Sequence, residues 1–296
     1  MPTNEQRRAT AKRKLERQLE RRAAAARRRR LLTIIGSAVG AVLVIGAIVA
    51  TVIVTNKGSN STTASATTST PPSSESAPTP PADGKTPPLP AFAAPADLGA
   101  NCQYPAAEAA SKPNKPPRTG KVPTDPAQIS VSMSTNQGNI GLQLDNAKAP
   151  CTVNSFASLA QQGFFNDTPC HRLTTSPSLS VLQCGDPTGK GTGGPGYQFA
   201  NEYPTNQFQP DSPALQQPVV YPRGTLAMAN AGPGTNGSQF FLVYKDSQLP
   251  PGYTAFGKID DEGLKTLDKV GAAGVADGSS DGAPKQAVQI KSILLD

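Results

Sequence analysis

The chain has 296 residues, with 28 Lys and Arg against 21 Asp and Glu, a net charge of +7, and a single histidine, His171. One histidine excludes a multi-histidine metal site, and Cys102, Cys151, Cys170 and Cys184 lack the C-x-x-C spacing of a thioredoxin-like or zinc-ribbon site. The charge is uneven: residues 1–30 hold 12 of the bases against Glu5, Glu16 and Glu20, so the remainder carries 16 bases and 18 acids and gives no ground for a nucleic-acid partner.

Residues 1–30 form a basic tail ending in Arg27-Arg28-Arg29-Arg30. Residues 31–55, LLTIIGSAVGAVLVIGAIVATVIVT, come next without a charge. As a helix rising ~1.5 Å per residue, this run covers the ~30 Å hydrocarbon core of a bilayer with some tilt. The preceding bases place the N-terminus in the cytoplasm and the rest of the chain outside the cell membrane, as a single-pass protein. A cleaved signal peptide has an apolar stretch of roughly 7–15 residues and a small-residue cleavage site; this run is longer and ends Val52-Ile53-Val54-Thr55, so an uncleaved anchor is expected. Residues 56–127 are rich in Ser, Thr, Ala and Pro, with 15 of the 30 prolines between Pro71 and Pro126. That composition predicts a disordered, semi-rigid linker. Cys102, inside it, suggests that its last part is tied down to the folded domain.

That domain is expected over residues 128–296. Ile129, Val131 and Met133 alternate, Asn136-Gln137-Gly138 turns, and Ile140, Leu142 and Leu144 alternate again, which reads as a β-hairpin with one apolar face. Pro150 opens a helix that Gly163 ends, with Val153, Phe156, Ala157 and Ala160 on one side. Strands are predicted at 170–173, 180–183, 225–229, 239–244 and 254–259, then a short helix over 261–270 and a last strand over 287–295. Many short strands with two helices predict a mainly β fold, a closed antiparallel β-barrel of about eight strands capped by two helices.

Two stretches call for a chemical reading. Gly185 to Thr192, GDPTGKGT, has the look of a phosphate loop, but it is one residue short of the G-x-x-x-x-G-K spacing and Gly191 comes after Lys190. No nucleotide or other cofactor is implied. Leu226–Tyr244, LAMANAGPGTNGSQFFLVY, is a strand–loop–strand in which Asn230 and Gln239 flank a turn rich in glycine, proline and asparagine. Core packing accounts for Phe240 and Phe241 but not for the two amides.

This stretch resembles the signature of the cyclophilins, peptidyl-prolyl cis–trans isomerases. Three further segments resemble the same family in the same order: His171-Arg172 with Gln183-Cys-Gly185-Asp186, Gly189–Gly196 with Tyr197, and Ala255-Phe256-Gly257-Lys258-Ile259. The resemblance spans residue 129 to the C-terminus and implies rotation of X-Pro bonds in proline-containing polypeptides, without metal or cofactor. It implies that Arg172 is the catalytic residue. Phe241 and Leu249 would wall the proline pocket, with Met228 or Val181 at its floor and Tyr253 beside it. Gln239 and Asn230, between Ala229 and Ala231, would hold the substrate backbone, Asn230 through its main chain. Gln183 would fix Arg172, and His171 would support the pocket without acting as a base.

The sequence also departs from the family. Extra residues occupy Leu173–Leu182, Ser180 stands where the family has an aromatic, Gln248 where a tryptophan is frequent, and Tyr253 where a histidine is frequent. Cyclosporin is therefore expected to bind only weakly. The altered loop keeps one rival reading open, a membrane-tethered module that binds proline peptides without turning them over; a purely structural spacer leaves the four motifs unexplained. Outside the cytoplasm, the cysteines are expected to form two disulfides, with three pairings open. If Arg172 and Gln183 share a face, Cys170 points with them and Cys184 points away, so a Cys170–Cys184 bond requires a bulge.

Overall fold

The computed structural model describes residues 85–296. The basic tail, the expected membrane span at 31–55 and the first part of the linker lie outside the described residues. Among the described residues, no helix is long and apolar enough to cross a membrane.

The fold starts from the predicted hairpin. Strand β1 (Ile129–Thr135) and strand β2 (Gly138–Leu144) pair with Val131 opposite Leu142 and Met133 opposite Ile140, all four buried, while Ser130 and Ser132 face water. Helix α1 (Pro150–Gln161) buries Val153, Phe156 and Leu159. It has no local N-cap side chain. The buried carboxylate of Glu202 serves instead, accepting from the N–H groups of Cys151 (3.0 Å) and Thr152 (2.8 Å) and from Thr152 Oγ1 (2.7 Å). Gly163, at φ 66°, ends the helix: its N–H bonds Ala160 and the N–H of Phe164 bonds Leu159, both at 2.9 Å. Helix α2 (Asp261–Ala273) starts on the Asp260 side chain, which accepts from Gly263 N at 2.7 Å, and buries Leu267 and Val270.

The other strands are β3 (Thr168–Cys170), β4 (Arg172–Thr174), β5 (Val181–Cys184), β6 (Val219–Tyr221), β7 (Thr225–Met228), β8 (Phe240–Val243), β9 (Ser247–Leu249), β10 (Ala255–Ile259), β11 (Asp281–Gly282) and β12 (Val288–Leu295). Ten of the described strands form one sheet in the order β11-β4-β5-β8-β7-β10-β2-β1-β12-β3, and β6 and β9 form a separate pair. The expected closed barrel is thus corrected to a curled half-barrel with β11 and β3 as its two edge strands. The reason lies at His171, where the strand breaks: β3 joins β12, whereas β4 joins β5. The break also resets the alternation of side chains, and Cys170 and Cys184 meet in a disulfide across the seam. The irregularity that this pairing demanded is therefore present. The second disulfide joins Cys102 to Cys151 on α1.

Inside the curl, Phe156 of α1 packs against Phe165, Phe240 and Phe256, with ring centroids 5.1–5.3 Å apart. Outside it, a second apolar cluster of Val181, Tyr203, Val219, Tyr221, Ala227, Phe241, Val243 and Ala255 joins β6 to the sheet.

Residues 85–127, assigned to the linker by their composition, belong to this fold. Leu89 and Phe92 pack on the outer cluster, Phe92 edge-on to Tyr203. Val220 N donates to Pro87 O at 2.7 Å and Tyr203 Oη to Pro90 O at 2.7 Å. Farther on, Cys102 and Gly120 exchange main-chain hydrogen bonds at 2.8 and 2.9 Å, and Tyr104 and Val122 are buried in the main core. The segment has few large apolar residues and is held mostly by main-chain hydrogen bonds and one disulfide, which composition alone does not reveal.

Candidate active site

The site lies on the outer face of β5, β7 and β8, where alternation sorts the side chains. On β8, Phe240 and Leu242 point into the main core while Phe241 and Val243 point outward; on β5, Leu182 and Cys184 point in while Val181 points out. Arg172 stands opposite Gln183 in the β4–β5 ladder, which brings its guanidinium beside the Gln183 amide.

Arg172 is gripped from two sides. Its Nε and Nη2 donate to the two carboxylate oxygens of Asp281, each at 2.7 Å, and Nη1 donates to Gln183 Oε1 at 3.1 Å. Gln183 Nε2 donates to Gln239 Oε1 at 2.9 Å, and Gln239 Nε2 donates to the carbonyls of Gly191 and Gly193, each at 3.0 Å. Those glycines rest on Asp186, whose Oδ2 accepts from the N–H groups of Thr192 and Gly193. Of the five guanidinium N–H donors, one on Nη1 and one on Nη2 have no partner among the described residues. Hydrogen bonding to Asp281 raises the Arg172 pKa above its usual value, and the same bonds lower that of the Asp281 carboxyl, so the pair is charged at every physiological pH.

Beside the guanidinium is a cavity of about 160 Å³, walled by Leu179, Val181, Ala229, Phe241, Leu249 and Tyr253, with Arg172, Gln183 and Asn230 as its polar edge. Phe241 meets the Tyr253 ring edge-on at 5.8 Å, and Tyr221 Oη fixes that wall by donating to Tyr253 O at 2.8 Å. A larger cavity of about 450 Å³ shares Gln183, Ala229 and Asn230 with the first and adds Ala231 and Gln239. The side-chain amide of Asn230 donates to Gly252 O at 2.8 Å and its oxygen accepts from Gly232 N, which leaves the main chain of this residue to meet a peptide.

Two expected residues stand elsewhere. Met228 lines neither cavity: alternation along β7 turns it into the main core beside Phe240, its ladder partner, and Val181 alone supplies the floor. His171 lines neither cavity, and a Cβ on Gly191 would come within 3.3 Å of its Nε2. Burial pushes its pKa down, which favours the neutral ring.

Two residues escaped the sequence reading. Ser180 is buried, with its N–H donating to Ser247 Oγ and its hydroxyl to Ser176 O, and Leu179 occupies the cavity wall. The extra residues of the 173–182 loop thus return an apolar side chain to a wall that lacks the aromatic. Asp281 comes from a short Ser/Asp/Gly stretch 109 residues away from Arg172, and no local pattern signals it.

Residues 130–294 match the family described as "Cyclophilin type peptidyl-prolyl cis-trans isomerase/CLD". The chain belongs to this family. It is 71% identical over 297 residues to a Mycobacterium tuberculosis protein named "Probable peptidyl-prolyl cis-trans isomerase B", covering 100% of this chain and 95% of that one. A Mycobacterium leprae protein of the same name is 64% identical over 297 residues, covering 100% of both. Among solved structures, a Cryptosporidium parvum cyclophilin type peptidyl-prolyl cis-trans isomerase is 31% identical with a TM-score of 0.45, covering 57% of this chain and 98% of that one. The cyclophilin domain of this chain is therefore a peptidyl-prolyl cis–trans isomerase, and its substrates are proline-containing peptides.

Proposed function

We propose that this isomerase accelerates X-Pro rotation in exported chains outside the cytoplasm, held at the cell membrane by residues 31–55. The chemistry needs neither nucleophile nor cofactor. Partial double-bond character gives the peptide C–N bond a rotation barrier of ~18–20 kcal/mol. Twisting that bond returns a lone pair to the proline nitrogen. The unengaged N–H groups of Arg172, at the edge of the apolar cavity, are the observation that carries this mechanism. They meet an acceptor that exists only in the twisted state, so their binding energy lowers the barrier and not merely KM. Phe241, Leu249, Val181 and Leu179 hold the ring while the Asn230 main chain and the Gln239 Oε1, which has a second lone pair to offer, hold the flanking main chain.

The location rests on other observations. The uncharged run of 25 residues behind a tail with a net charge of +9 supports an anchor with the domain outside. Both described disulfides suit an oxidising compartment. Protease added to intact cells stripped of their wall should remove the domain and spare residues 1–30; a protected domain would defeat the topology. Enzyme and passive binder are separated by comparing the full-length chain with Arg172→Ala on an Ala-Pro peptide, where equal rates would defeat the catalytic role of Arg172.

A further inference from the structure

The larger cavity has a wall that no other part of the cyclophilin domain supplies. Residues 107–109 line it, and they lie 21 or more residues before the first residue matched to the family, Ser130. Their position is built. Ala107 N donates to Gly196 O at 3.0 Å, Ser111 N donates to Gly194 O at 2.9 Å, and Asn114 Nδ2 donates to Pro195 O at 2.9 Å. The Cys102–Cys151 disulfide fixes the same strap just upstream. Glu108 falls between the two main-chain clamps, with its side chain exposed, and among the described residues is the one charged residue in the cavity lining. Apart from Pro195 and Tyr197, the rest of the lining is glycine, alanine, hydroxyl and amide groups. Beneath the glycine wall lies a second carboxylate, Asp186, so close that a Cβ on Gly193 would fall 2.0 Å from its Oδ1. Burial pushes the Asp186 pKa up, but hydrogen bonds led by the Gly193 and Thr188 N–H groups outweigh it and hold the pKa down, so the carboxylate remains charged. This cavity opens onto the proline cavity through Gln183, Ala229 and Asn230.

We propose that the strap completes a specificity subsite in which Glu108 selects a lysine or arginine side chain, a few residues from the isomerised proline in the substrate chain. The inference rests on the isomerase reading and adds to it the class of substrate preferred. A peptide held at Asn230 and Gln239 with its proline against Phe241 continues into the larger cavity, and a long cationic side chain reaches the carboxylate at the rim while its methylenes lie along Ala107 and Ala109. The contact is solvent-exposed, so its effect is modest and screened by salt.

The test uses the full-length chain in detergent and three Ala-Pro peptides that differ only by Lys, Gln or Glu within three residues of the proline, placed on either side. Turnover is read by NMR exchange, which needs no coupling protease. In ~20 mM salt, one placement of Lys should exceed Glu in kcat/KM by about two- to fivefold, the range of an exposed ion pair, and ~0.5 M salt should shrink that ratio. Glu108→Gln should bring the ratio close to one and Glu108→Lys should invert it, an inversion that a misfolded variant cannot produce. A Lys-to-Glu ratio near one in the unaltered chain, or one that is the same in all three proteins, overturns the inference. Failure of the unaltered chain to turn over the Gln peptide would instead remove the isomerase reading beneath it.

Discussion

The grip of Asp281 on Arg172 makes a quantitative prediction. Asp281→Ala removes two hydrogen bonds of 2.7 Å and, among the described residues, leaves Gln183, at 3.1 Å, to orient the guanidinium. The side chains of the pair are 39% and 51% exposed, so the interaction is discounted to the ~0.2–1 kcal/mol of surface ion pairs. If all of that serves orientation, kcat/KM falls by up to about fivefold. Arg172→Ala removes a charged hydrogen bond to the twisted proline nitrogen, ~1.5–3 kcal/mol or roughly 10- to 150-fold. Because the guanidinium acts in the twisted state, Asp281→Ala should lower kcat more than it raises KM. The decisive comparison is the double variant. Asp281 acts only through Arg172, so its loss should cost nothing further once Arg172 is alanine. NMR exchange on an Ala-Pro peptide gives all four rates for the full-length proteins. Equal fold losses in the two backgrounds, or an effect confined to KM, would refute the positioning role.

Three more outcomes are expected. His171 has its pKa depressed by burial, so below its ordinary value of ~6.5 the unfolded chain binds more protons than the folded one, and its contribution to stability falls as pH drops through that region; the loss of stability from pH 7.5 to 5.5 should shrink in His171→Asn, and an unchanged difference in thermal melts would contradict the buried neutral ring. Glu202→Ala leaves the first N–H groups of α1 without their acceptor and should lower stability by about 1–3 kcal/mol in urea titrations, with an effect under half of that showing that the cap matters little. Cyclosporin should inhibit weakly, since Gln248, in the position of the frequent tryptophan, is instead bonded by Thr86 Oγ1 at 2.9 Å; a nanomolar inhibition constant would refute this.

The strands and helices with strong periodicity were legible because each has a single buried face. The hairpin at 129–144, α1 from Pro150 and the final strand appear within a few residues of where the pattern puts them. What stayed hidden depends on distant partners. Closure of the barrel turned on a strand break at His171 that alternation does not announce. Met228 and Val181 are equally apolar, and only the alternation along β7 and β5 decides which of them meets the substrate. The short β6–β9 pair and the 85–127 strap lack periodicity of their own and are ordered by surfaces built elsewhere in the chain. Asp281 shows the same limit for a charged group, since its partner lies on a strand far away in sequence.

The Cys102–Cys151 bond also decides where the molecule yields when it is pulled. Tension along the chain from the N-terminal side first meets residues 85–101, held by contacts such as those of Pro87 and Pro90 and by the seating of Leu89 and Phe92. At Cys102 the load crosses through sulfur into α1 and bypasses everything between the two cysteines. The β1–β2 hairpin and the wall at 107–109 are therefore slack under tension, while the apolar patch beneath Leu89 and Phe92 is uncovered. The cluster so bared includes Val181 and Phe241, so the proline cavity shares the face that tension uncovers.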